Sequence, residues 1–321
     1  LIATALAVSV TGCAGNATSS SDSTSASSVA ESSDTSTQTS ADASSEDESK
    51  DESSQEESKD LEANYTKYTL DGDLTQHMID MSRLNEGNKV RLANVIKKLK
   101  NGEEVTVGFI GGSITQGTSA GNDLCYAKLT ADWLQKTYSN AKINYVNAGI
   151  GATGSYIGVH RVANDLLSKN PDLVFVEFSV NDTTENTERN KKSYDGLLRT
   201  IWKSSTNPAI ITIATTQEDG TSFQDQHAEI VKHYDLPMIS YRNTILDTIK
   251  HGDIVWKDIS DDNIHPNVPG HKIVSQLLQA YISDVDKDVD NISGSESDFT
   301  TPATDAPIEN GSLIQPSSCL L

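Results

Sequence analysis

Between about residues 78 and 283, short apolar runs alternate with stretches of helical periodicity. The runs are 105–110 (V-T-V-G-F-I), 142–147, 172–179 (D-L-V-F-V-E-F-S), 209–214 (A-I-I-T-I-A) and 236–241. They are rich in Val and Ile and bounded by Gly, Pro, Asn or Asp, which reads as five strands. Between them lie amphipathic patterns at 126–138, 156–168, 191–203 and 222–233. A single helix is expected over 78–100, ending at Asn101-Gly102, and a closing helix over 269–283. The stretch 242–261 reads as irregular. Strands that are apolar nearly throughout, alternating with helices, predict a parallel sheet covered on both faces. With right-handed crossovers the fold class is α/β, a three-layer αβα sandwich around a central parallel sheet of about five strands.

The pattern stops at both ends. Residues 16–60 carry twelve acidic side chains against Lys50 and Lys59, and almost nothing apolar. Such a segment cannot bury enough surface to offset its ordering entropy, and its charges repel, so residues 14–61 are expected to form a disordered spacer. Much of the formal net charge of −21 therefore lies outside the folded part. An acidic balance argues against nucleic-acid binding, which needs a basic face. The folded domain is assigned to 62–284. Residues 285–321, again rich in Asp, Ser and Pro, are expected to be a poorly ordered tail.

The opening residues, L-I-A-T-A-L-A-V-S-V-T-G-C, read as the apolar part of an export signal, too short to span a bilayer. Val10-Thr11-Gly12-Cys13 resembles a bacterial lipobox. That resemblance implies cleavage before Cys13 and a lipid on its sulfur, the acidic spacer then reaching out from a membrane. The other two of the three cysteines are Cys125 and Cys319, and nothing pairs them. No Cys/His group has metal-ligand spacing along the chain, so neither a zinc site nor a cofactor is expected.

The candidate chemistry stands after strand ends. Ser113 follows the first strand at a Gly111-Gly112 turn. A glycine-rich stretch (147–154) follows the second, Asn181 the third, and Asp262 and His265 come after the last. In an open α/β sheet these ends meet along one edge. A serine hydroxyl becomes nucleophilic when a neutral imidazole takes its proton, and a carboxylate fixes that imidazole. Asp262, three residues before His265, can fold back to do so. The competing reading of Ser113 is a helix N-cap. Backbone N–H groups of Ser113, Gly151 and Ala152, with the Asn181 amide, are candidate oxyanion donors.

Four stretches carry a family resemblance: G-G-S-I-T-Q-G (111–117), N-A-G-I-G-A-T-G (147–154), S-V-N-D (179–182) and D-N-I-H (262–265). In that order they resemble the four blocks of the SGNH, or GDSL-type, hydrolases. The resemblance covers about residues 103–283 and implies a flavodoxin-like fold, with Ser113 as nucleophile, His265 as base, Asp262 as its orienter and Asn181 as an oxyanion donor. Gly112 departs from it, standing where the family has an acidic residue. So does Ala152, which stands at the family's oxyanion glycine. Which amide of 149–152 donates stays open.

The expected function is an extracytoplasmic, lipid-anchored serine esterase working through an acyl-enzyme on a small acyl ester or an acetylated glycan. It is expected to be a monomer, touching membrane only through its anchor. Activity should fall in acid as the imidazole protonates. A lysophospholipase or short-chain lipase is the nearest alternative, and a catalytically silent glycan-binding protein the next. Among the other polar residues, Glu177 is expected to meet a helix end or a buried partner, His160 and Arg161 a solvated helix face or Asp165, and His271 a packing or capping role. His227, His233 and His251 show no constellation.

Overall fold

The computed structural model describes residues 65–183, 186–309 and 311–312. Cys13, the acidic spacer and Cys319 lie outside these. A six-stranded sheet has the order β1-β6-β5-β4-β2-β3. Its strands are β1 (Arg83–Asn85), β2 (Glu104–Gly111), β3 (Lys142–Gly149), β4 (Leu173–Glu177), β5 (Ala209–Ala214) and β6 (Met238–Ser240). β2 to β6 run parallel, in the α/β class expected, and β1 adds an antiparallel edge on β6.

Alternate residues of each strand serve opposite layers, because side chains of a strand alternate in direction. Leu173 and Phe175 pack with α2 (Val90–Lys100), α4 (Tyr126–Thr137), α8 (Tyr241–Lys250) and α10 (Val268–Lys287). Val174 and Val176 pack with α5 (Ser155–Asp165), α6 (Thr187–Trp202) and α7 (Gln224–His233). Burial on both faces is why these strands show no polar alternation in sequence. The short α1 (Gln76–Ser82), α3 (Ser113–Gln116) and α9 (Trp256–Ile259) complete the helices among the described residues.

Three expectations are corrected. The single helix over 78–100 is instead α1, β1 and α2. Gly87, at φ +61°, turns the chain so closely past Leu236 and Pro237 that a Cβ would lie 2.2 Å from the Pro237 nitrogen. Asn88 N–H then donates to the Asp235 carbonyl at 2.7 Å, and the preceding residues pair with β6 rather than coil. The stretch 242–261 is not irregular, since it holds α8 and α9. In α8 the buried face includes Thr244 and Thr248, whose hydroxyls bond the Ser240 and Thr244 carbonyls, so an apolar count misses its period.

The third correction concerns the tail. α10 runs to Lys287, Val289 and Ile292 pack with it and α2, and from Phe299 to Glu309 the chain straps across α6 and the end of α7 instead of hanging loose. Phe299 is buried, stacked on Tyr234 at 3.9 Å and Trp202 at 4.5 Å. The Thr304 amide and hydroxyl donate to buried Asp195, and Glu309 pairs with Arg199 and Lys203. The Ile308 backbone lies so close to Gly196 that a Cβ there would stand 1.8 Å from the Ile308 oxygen. A few anchors hold this segment, so its polar composition concealed its order.

Candidate active site

β2 delivers Ser113 to the carboxyl edge of the sheet. The N-cap of α3 is Gly112, not Ser113, and no side chain caps this helix. The Ser113 hydroxyl instead lies 2.9 Å from His265 Nε2. That disposes of the N-cap reading. His265 Nδ1 lies 2.8 Å from Asp262 Oδ2. The other carboxylate oxygen accepts the Ile264 and His265 backbone amides at 2.7 and 2.6 Å. Burial pushes the Asp262 carboxyl up, but the hydrogen bonds from the His265 amide and ring and from Ile264 outweigh it, leaving the group below the usual carboxylate range. It is an anion poised to orient an imidazole and to stabilise its protonated form.

The turn carrying Asp262 and His265 is fastened from outside. Ser260 Oγ reaches the carbonyls of Asp262 and His265, and Trp256 Nε1 donates to the Asp262 carbonyl at 2.7 Å. His271, one turn into α10, accepts the Tyr126 amide on Nδ1 at 3.1 Å. Burial, opposed only in part by a contact to the Thr118 carbonyl, pulls its pKa down to about 4. His271 is a neutral pin from α10 to the start of α4 and to the loop after α3, the structural role expected for it.

The glycine-rich block is bolted to α3. Asn147 donates to the Thr115 carbonyl and accepts the Gly149 amide, both at 2.8 Å. The Ile150 amide goes to the Gly111 carbonyl, and the Gly151 amide to Gln116 Oε1 at 2.8 Å. Gly151 is therefore corrected: its N–H is already spent and it drops out as an oxyanion donor. The Ala152 amide has no hydrogen-bond partner among the described residues, and neither has that of Ser113. Ala152 takes φ +59°, a left-handed conformation that costs an alanine on the order of 1 kcal/mol. Glycine suits this position better, yet alanine holds it.

Asn181 lies against Gly112, where a Cβ would stand 1.9 Å from Asn181 Oδ1. Glycine at 112 is thus the space the asparagine occupies. Its neighbour Asp182, fully buried, accepts the Ser155 amide at 2.8 Å on one oxygen and meets His227 Nε2 at 2.9 Å on the other. His227, without a constellation in the sequence, stacks on Tyr194 at 3.6 Å and holds this carboxylate. Glu177 accepts Ser179 and Thr215 hydrogen bonds through Oε1 alone, tying the turn before Asn181 to the end of β5. Its burial pushes that carboxyl up despite those bonds. Arg161 is buried rather than on a solvated face. It holds the Gly111 carbonyl at 2.9 Å and that of Ala148 as well, and reaches Asp165 at 3.3 Å. No sequence signal singled out Asp182, His227 or Arg161 for these roles, because each acts on a group distant in sequence: a backbone amide or carbonyl for Asp182 and Arg161, the Asp182 carboxylate for His227.

Beside the block lies a cavity of about 310 Å³ lined by Gln116, Asn122, Tyr145, Asn147 and Gly149. Exposed Ile150 stands within the block, exposed Tyr156 just after it, and exposed Val268 follows the turn that carries His265. The arrangement can move a proton from a serine hydroxyl to an imidazole beside unengaged backbone N–H groups.

The family model described as GDSL-like lipase/acylhydrolase matches residues 109–273. Among solved structures, a two-domain esterase active on acetylated mannans, co-crystallised with mannopentaose, is similar at 38% identity and a TM-score of 0.66. The match covers 70% of this chain and 60% of that one. A structure under the same description without the oligosaccharide matches at 38% identity and TM-score 0.67, covering 70% and 61%. The present chain thus spans about 60% of the length of these structures. No curated protein matches it.

Proposed function

The chain belongs to the GDSL-like lipase/acylhydrolase family, and on that premise we propose that it is a serine carboxylic ester hydrolase that deacetylates polysaccharides outside the cytoplasm. The observation that carries the reading is the continuous relay from Ser113 Oγ through His265 to Asp262. Ser113 Oγ attacks the ester carbonyl while His265 Nε2 takes its proton. The Ser113 and Ala152 amides and the Asn181 side chain hold the oxyanion. His265 returns the proton to the leaving alcohol, giving an acetylated Ser113. A water, deprotonated by the same imidazole, releases acetate and restores the serine.

Two observations support an acetylated glycan. The cavity beside the block presents amides and a phenol, which suit a hydroxyl-rich alcohol better than a long acyl chain. A relative 38% identical is described as active on acetylated mannans. The export run and Cys13 support a place on the outer face of a membrane, with the acidic spacer as tether.

The test is acetate release from acetylated mannan, beside hydrolysis of chromogenic acetyl and octanoyl esters, by the protein and by Ser113→Ala. Acetyl-selective hydrolysis lost in Ser113→Ala is expected. Preference for the octanoyl ester points to a lipase and ends the glycan reading. Glycan binding without turnover points to a silent binding protein.

A further inference from the structure

On the side of the molecule built by α1 and α8, three side chains from distant parts of the chain converge. Asp247 and His251 stand four residues apart at the end of α8, and therefore on one face of the helix. His77, on α1, comes in from 170 residues away to lie 2.6 Å from Asp247 Oδ2. His251 Nδ1 lies 3.3 Å from the same oxygen. One ligand atom from each residue falls within 4.8 Å of the others. We propose that His77, Asp247 and His251 bind a zinc-class divalent cation, with solvent completing its coordination.

Tetrahedral zinc with Zn–N and Zn–O bonds of about 2.0–2.2 Å places its ligand atoms about 3.3–3.5 Å apart. The distance from His251 Nδ1 to Asp247 Oδ2 already meets that spacing, although the same nitrogen donates to the Asp247 backbone carbonyl at 2.9 Å and gives up that bond when it ligates. The His77–Asp247 pair opens by about 0.7 Å to reach it. Two imidazoles and one carboxylate suit zinc rather than magnesium or calcium, which prefer all-oxygen shells. A lone ion pair would need one histidine, whereas here two face one carboxylate oxygen. Tyr65 encloses them, stacked on His251 at 4.1 Å and edge-on to His77 at 5.4 Å. The Tyr65 hydroxyl hydrogen-bonds a second carboxylate, Asp253, which also accepts the Tyr68 amide at 2.7 Å. Binding replaces the His77–Asp247 hydrogen bond and the bond from His251 Nδ1 to the Asp247 carbonyl with coordinate bonds, and the two displaced ring protons leave those nitrogens, passing to solvent.

None of the three residues hydrogen-bonds with Ser113, His265 or Asp262. The ion is structural: it clamps residues 65–82 to the end of α8, from which the chain runs on to the catalytic turn.

The test is calorimetric titration of the metal-free full chain with zinc sulfate, with Tm followed against free zinc and cobalt(II) as a spectroscopic probe. One zinc per chain, a Tm that rises with free zinc and visible cobalt d–d bands are expected. His251→Ala, at a partly exposed position, should fold and lose all three signals, and Asp247→Asn should weaken them at least tenfold. His265→Ala should keep them. Absence of stoichiometric zinc and of cobalt bands in the unmodified protein overturns the proposal, whether or not the variants fold. So does zinc binding that survives His251→Ala or disappears in His265→Ala.

Discussion

At the scale of single residues, Asp262 does two separable jobs. One oxygen orients His265 and the other closes the turn on two backbone amides. Asp262→Asn can keep the amide bonds through its carbonyl while losing the charge that supports an imidazolium. The expected outcome is a fall in kcat of about 10²–10⁴-fold with an almost unchanged Tm, read by ester kinetics beside thermal melting. Gly112 makes a sharper point, because the family carries an acidic residue there. Gly112→Asp would restore that pattern, yet its Cβ would collide with Asn181. We expect it to lower kcat about 10²-fold or more by displacing Asn181, the proposed oxyanion donor, and activity at the level of the unmodified protein would contradict that proposal. His271 sets an acid response. Its folded value of about 4 lies below that of a free imidazole, about 6.5, so on acidification the unfolded chain takes up a proton first. Its contribution to stability is complete above about pH 6.5 and drains away as the pH falls toward 4. Tm should fall through that window. An NMR titration should place the His271 ring near pH 4, and a midpoint near 6.5 would refute its burial as a neutral acceptor.

At the scale of elements, the candidate site is a set of strand ends locked to one another through backbone groups. Asn147 and Gln116 join the glycine block to α3, Glu177 joins the ends of β4 and β5, and Asp182 with His227 holds the start of α5. The four motif blocks were legible because each sits at a strand end and carries residue types with few other uses in that order. Their fastenings were not, since any Asn, Gln or buried acid can cap a backbone amide and only proximity tells which one does. The strap over α6 and α7 was illegible for a related reason: its stability rests on Phe299 and a few polar anchors rather than on a periodic face. Phe299→Ala should cost about 3–5 kcal/mol in urea unfolding, as a large aromatic removed from a buried stack. A cost under about 1 kcal/mol would mean that the strap is peripheral.

At the scale of the whole molecule, an acidic, Ser-rich stretch of sequence precedes the α/β domain. If Cys13 carries a lipid, Cys13→Ala should move the protein from the membrane fraction to the soluble fraction of a bacterial expression host, and an unchanged distribution would remove the anchor. Read alone, the sequence determined the α/β class, the order of the parallel strands along the chain and the residues at their carboxyl ends. Those follow from local apolar runs, turn residues and motif order. Only the tertiary structure decided that β1 pairs with β6, that Gly151 is already engaged, and that His77 meets Asp247 and His251. These depend on which distant groups come within a few ångströms of each other, a matter of chain path that no local pattern encodes.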